Sequence, residues 1–110
     1  MKDLREYKET LKAAVARERD NDANWGWNIQ TVNKNTAKIG WGYLDYIGET
    51  DKFTLEIFDE DACLCVIGTV PDGYKIHVFI GPNHWDDAKT IEDGIAAAIH
   101  SIAGYAKSTY

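Results

Sequence analysis

The densest cluster of reactive side chains in the sequence is His84-Trp85-Asp86-Asp87, just after Gly81-Pro82. A histidine next to a carboxylate can serve as a general base. To turn over a substrate it also needs a nucleophile, a glycine-rich phosphate cradle or a metal motif, and none accompanies this run. The run falls where a strand pattern gives way to a helix pattern. It reads as a helix-capping loop, a place where function is also often found. His77, inside a strand pattern, is the other centre around which an enzyme would have to be built. Cys63 and Cys65 are spaced i, i+2, so in a strand they share a face but lie too far apart to bridge easily. They are half a zinc site, and His77, His84 and His100 show no regular ligand spacing with them. Asp59-Glu60-Asp61 lacks the spacing and the glycine of a calcium loop. No catalytic centre, metal or cofactor is therefore expected, and two unpaired thiols fit a reducing, cytoplasmic setting.

What the sequence does hold in quantity is negative charge. Among 110 residues there are 12 Lys+Arg against 18 Asp+Glu, a net charge of −6. The distribution is uneven: residues 1–20 carry a net +1 and the other 90 a net −7, with twelve acidic against three basic side chains within 45–93. Such a surface repels phosphate, which disfavours direct binding to nucleic acid or an anionic membrane. It would steer the chain toward a basic protein, such as one with a nucleic-acid groove. Solubility alone is the structural alternative. No apolar run reaches the roughly 18 residues of a membrane span, and no secretory signal pattern opens the chain.

The elements that must position these charges are legible. Leu4, Tyr7, Leu11, Ala14 and Val15 recur at helical spacing, with Asp3 and Glu6 forming a capping-box pattern and Asp20–Asn24 ending the helix in turn formers. Trp25, Trp27, Ile29 and Thr31 then alternate with small or polar residues. After Asn33-Lys34-Asn35, so do Ala37, Ile39, Trp41 and Tyr43. Folded about that turn, Ile29 faces Ile39, Trp27 faces Trp41, and Trp25 faces Tyr43, while Gly26 meets Gly42 and Asn28 meets Gly40. A one-residue slip would set aromatics against glycines, so this register is strongly specified. The aromatic ladder reads as core under a helix, with a stacking platform as the alternative; Gly26, Gly40 and Gly42 leave room for close approach on the reverse side.

A third strand, Phe53 to Phe58, is followed by a turn at Asp59-Glu60-Asp61. The fourth, Cys63 to Thr69, is almost continuously apolar. The turn Val70-Pro71-Asp72-Gly73 leads into a fifth strand with Tyr74, Ile76, Val78 and Ile80 on one face. The expected register sets Val66 against Val78, Leu64 against Ile80, Leu55 beside Val66 and Ile57 beside Leu64. Thr90 with Asp93 caps a final helix striped by Ile91, Ile95, Ile99 and Ile102, with small Ala96, Ala97 and Ala98 allowing close packing. The order α-β-β-β-β-β-α with short turns predicts one α+β domain over residues 1–110. It is a five-stranded antiparallel meander with N- and C-terminal helices packed on one face.

The sheet face away from the helices would carry Thr54, Glu56, Phe58, Cys63, Cys65, Ile67, Thr69, Lys75, His77 and Phe79, too apolar for a fully wetted surface. A patch of that kind marks a partner, unless a loop, the tail or a second copy covers it, or the strand is simply internal. In a meander, turns two connections apart share an end. Asp59–Asp61 should therefore lie near Asp86 and Asp87, and opposite Glu49 and Asp51. The candidate partner-binding residues are Glu49, Asp51, Glu56, Phe58, Asp59, Glu60, Asp61, Phe79, Asp86 and Asp87.

In size, acidity and missing catalytic signature the chain is similar to small proteinaceous inhibitors, such as toxin-immunity and anti-CRISPR proteins; that likeness is one of composition and brings no motif. The expectation is a non-enzymatic inhibitor that occludes a basic, nucleic-acid-binding surface of another protein. The alternatives are a nucleotide- or metabolite-binding module on the Gly40/Gly42 side, and a homodimer formed through the outer sheet face.

Overall fold

A computed structural model describes residues 3–21, 25–43, 51–60 and 63–109. A 3₁₀ turn, Leu4–Tyr7, leads into α1 (Lys8–Asn21). Strands β1 (Trp25–Val32), β2 (Thr36–Tyr43), β3 (Asp51–Glu60), β4 (Cys63–Thr69) and β5 (Lys75–Phe79) follow, and α2 (Ile91–Thr109) comes last. The strands form one antiparallel sheet in sequence order. This is the expected α+β meander, with both helices contributing to one core against one face of the sheet.

The helices begin at the same end of the sheet. Leu4 N–H donates to the Lys34 carbonyl at 2.6 Å, tying the N-terminal turn to the β1–β2 connection. At the other side, Ile80 bridges Ala88 just before α2 begins. From there α1 and α2 run in the same direction, and a part-buried polar contact joins them: exposed His100 Nδ1 lies 2.8 Å from Glu18 Oε1. Glu18 is 3% exposed and continues the Leu11, Ala14, Val15 stripe. Its place at helical spacing was visible in the sequence, but an acidic residue there reads as solvent-facing. The caps form where expected. Asp3 accepts from Arg5 N–H rather than completing a box with Glu6, and hydrogen bonding from the Arg5 side chain holds its carboxyl down to about 2. Thr90 Oγ1 accepts from Asp93 N–H at 3.1 Å.

The β1–β2 register is the expected one from Trp25↔Tyr43 through Ile29↔Ile39. Closer to the turn it shifts, with Thr31 opposite Lys38 and Val32 opposite Ala37. Asn33 N–H bonds the Thr36 carbonyl at 2.7 Å, and that closure is one residue out of step with the Ile29/Ile39 pairing. An irregularity between Ile29 and Thr31 absorbs the mismatch, as a bulge does. It lets Ile29 and Val32, three residues apart, both pack against the core. The side chains of Trp25, Trp27, Trp41 and Tyr43 lie outside the described residues, so the choice between core and stacking platform for that ladder does too.

The β3–β4 register corrects the expectation. Ile57 pairs with Val66, Leu55 with Gly68 and Asp59 with Leu64. Strand β3 runs through Glu60, opposite Cys63, so Asp59 and Glu60 are strand residues and the connection is shorter than the acidic run implied. The displacement is two residues. Because side chains alternate with period two, every residue keeps its predicted face. On β4–β5, Val66↔Val78 is as expected and Ile80 N–H reaches the Leu64 carbonyl at 2.9 Å.

The helix stripe Ile91, Ile95, Ile99 and Ile102 is buried, and α2 comes close to β4 through two glycines. A Cβ on Gly68 would overlap Ile102, and one on Gly94 would lie 2.8 Å from Ile80 Cδ1. Ile102 is fully buried and has nowhere to move. Gly68→Val should therefore cost about 1–3 kcal/mol through overpacking, read as a lower urea midpoint with unchanged slope; an unchanged midpoint would show that α2 does not rest on this position.

Candidate functional site

Register fixes what stands on the sheet face opposite the helices. Across β2 to β5 the rows are Lys38, Thr54, Thr69 and Lys75; then Thr36, Glu56, Ile67 and His77; then Phe58, Cys65 and Phe79; then Glu60 and Cys63. Cys65 and Ile67 are 2% and 8% exposed although both helices lie on the other face. In the ladder their cross-strand neighbours on this face are Phe58 and Phe79 for Cys65 and Glu56 and His77 for Ile67. The two phenylalanines stay 39% and 45% exposed, and His77 stacks against Phe79 with ring centroids 6.1 Å apart. The continuous apolar character of β4 thus belongs to a strand with neighbours on both sides, and a patch remains open around it.

Residues 81–90 fold back on the edge of β5 and hold Phe79 in place. Asp87 Oδ2 accepts from Phe79 N–H at 3.0 Å, while Asp87 and Ala88 N–H both donate to the Phe79 carbonyl. Asp86 Oδ2 accepts from Asn83 N–H at 3.0 Å, and Lys89 Nζ donates to the Pro82 and Asn83 carbonyls. One oxygen of each of Asp86 and Asp87 therefore fixes the loop. The loop presents Trp85, 69% exposed, with His84 edge-on to it.

The predicted site residues divide by the geometry. Phe58, Glu60, Phe79, Asp86 and Asp87 come together at the end of the sheet where both helices begin; Glu56 stands one row further in on the same face. Asp59 reaches that end on the helix-side face, half-buried opposite Leu64. Asp51 sits at the far end, opposite Trp41, as the meander argument required; its side chain, and Glu49 and Asp61 altogether, lie outside the described residues. Sequence reading underrated Trp85. Of the four exposed large hydrophobics among the described residues, Phe58, Phe79 and Trp85 share the acidic end and only Tyr74 lies elsewhere. Tyr74 stacks on Tyr105, whose hydroxyl donates to Asp72 at 2.9 Å, so its ring serves to dock α2 on the β4–β5 turn.

Among the described residues no three His, Cys, Asp or Glu side chains are grouped to hold a metal ion, and no helix is long and apolar enough to cross a membrane. His84 is exposed, and His77 faces the open sheet surface. No family model, no curated protein and no solved structure matches the chain.

Both thiols are free. Burial, with the neighbouring Cys63, pushes the Cys65 thiol up to about 11 from an ordinary value near 9. Its thiolate is therefore disfavoured in the folded state. Iodoacetamide at mildly alkaline pH should label half-buried Cys63 well before Cys65, and unfolding should equalise the two. Since only the folded state resists ionisation, the thiol's linked contribution to stability is constant below pH 9 and falls as pH rises toward 11. Equal labelling in the folded protein would show that Phe58 and Phe79 do not shield this row.

Proposed function

We propose that this chain is a non-enzymatic protein-binding inhibitor that docks on a basic, nucleic-acid-binding surface of another protein and occludes it. The observation that supports this reading most is the coincidence of Phe58, Phe79 and Trp85 with Asp59 and Glu60 at one end of the molecule. Exposed aromatic side chains are the usual anchors of protein interfaces. Carboxylates around them speed the approach of a cationic partner and penalise an anionic one. Asp86 and Asp87 act in this surface by holding the loop that carries Trp85 and by adding negative charge beside it. Two free thiols are compatible with a cytoplasmic setting.

The two kinds of side chain should separate kinetically. Neutralising Asp59, Glu60 and Asp61 together should slow association with a basic partner by about tenfold at low salt, with little change in release. Replacing Phe58 and Trp85 with alanine should instead speed release by about thirtyfold or more, as expected for losing hot-spot anchors. Surface plasmon resonance against captured basic nucleic-acid-binding proteins reads both rates, and a filter-binding assay reads whether the partner still holds nucleic acid. Binding that leaves the partner's nucleic acid in place, or rates indifferent to all five positions, would overturn the reading.

A homodimer is the second reading, and one observation favours it. The outer face is polarised, with Lys38 and Lys75 in one row and Glu56 and Glu60 toward the other end. A second copy turned end for end over this face would set Lys75 against Glu60. Sedimentation decides between the readings: if the face is for a foreign partner the chain stays monomeric. If the face self-associates, Lys75→Glu and Glu60→Lys should each dissociate the dimer and together restore it.

A further inference from the structure

A separate groove of about 700 Å³ runs between α1 and the free edge of β1, within the ~300–1,000 Å³ range of ligand-binding clefts. On one side it is lined by Lys8, Lys12, Val15 and Ala16, successive positions on one face of α1, and on the other by the consecutive β1 residues 28–32. A wall made of five consecutive strand residues is a strand edge, and β1 is the terminal strand of the sheet, with no strand beyond it among the described residues. Ile29 and Val32 are half-buried against the core and supply apolar surface, while Asn28, Gln30 and Thr31 are exposed. An edge strand beside a helix is the setting in which an extended peptide adds to a sheet.

Charge selects the occupant. The chain as a whole is at −6, yet the helix side of this groove presents Lys8 and Lys12, both exposed, with Glu9 paired to Lys12 at 3.4 Å. Lysines and the β1 irregularity are devices that discourage pairing with a neutral strand or with a second copy, whose own lysines would meet these. The same lysines favour an acidic strand. We propose that the α1–β1 groove binds an extended acidic peptide segment, which pairs with the β1 edge as a sixth strand while Lys8 and Lys12 engage its carboxylates. This site lies at the β1 edge, across the sheet from the β3–β5 strands that carry Phe58 and Phe79, and does not depend on the function assigned to them.

Fluorescence anisotropy with labelled peptides of about eight residues, long enough for one strand, tests the proposal. The probes alternate valine with glutamate, valine with lysine, or valine with glutamate carrying N-methyl groups on alternate amides. The acidic peptide should bind, the lysine peptide at least about tenfold more weakly, and N-methylation on the edge-facing amides should abolish binding. Lys8→Glu combined with Lys12→Glu should reverse the preference between the acidic and basic probes. Amide hydrogen exchange on the wild-type protein should slow within residues 28–32 when the acidic peptide is added. Absence of binding, binding indifferent to N-methylation, or protection located at β5 rather than β1 would each overturn the proposal. So would a dimer formed through β1 in the absence of peptide.

Discussion

The approach of α2 to β4 constrains everything else. Ile95, Ile99 and Ile102 are fully buried, and Gly68 and Gly94 bring helix and sheet closer than any side chain at those positions would permit. With α1 laid beside α2 and the two joined through Glu18 and His100, the helix layer is complete on one face of the sheet. The opposite face receives neither helix. There Phe58 and Phe79 stand beside buried Cys65 in the ladder, and Glu56 and His77 beside buried Ile67. The aromatic patch is the physical consequence of a two-layer fold with both helices on one side.

Topology then sets the charge around that patch. In the meander, the β3–β4 connection, the loop after β5 and the beginnings of both helices all emerge at one end. Helix beginnings favour acidic residues, and Glu9 in α1 and Glu92 and Asp93 in α2 occupy those places. Asp59 and Glu60 arrive at the same end from the sheet, and Asp86 and Asp87 from a loop they also stabilise. The acidity seen in the composition thereby becomes a pole next to Phe58, Phe79 and Trp85. Lys8 and Lys12 set a local positive charge in the α1–β1 groove against that field.

Much of this was legible from residue spacing. The alternation from Trp25 to Tyr43 fixed the hairpin pairing because any slip would oppose aromatics to glycines, and the isoleucine stripe of α2 is buried as its period implies. Some features were not legible, for definable reasons. Asp59 and Glu60 look like a turn because three acids in a row are poor strand formers, yet pairing continues through Glu60 because Phe58 and Ile57 are already held in the ladder. The β1 irregularity depends on a conflict between turn closure and core register, which only the folded pair reveals. Of the candidate site, the outer-face membership of Glu56, Phe58 and Phe79 followed from period-two alternation, whereas that of Glu60 came only with the extension of β3. The backbone duties of Asp86 and Asp87 are set by tertiary contacts of a loop and leave no periodic trace.

The central claim is that the open sheet face and the acidic end form one binding surface for a cationic partner. Amide chemical-shift mapping of the isotopically labelled protein, titrated with an arginine-rich peptide at low and then physiological salt, tests it most directly. The account predicts shifts concentrated at Phe58, Asp59, Glu60, Phe79 and Trp85 that weaken as salt rises. Shifts spread equally to Asp72 at the opposite end of the sheet, or confined there, would contradict it.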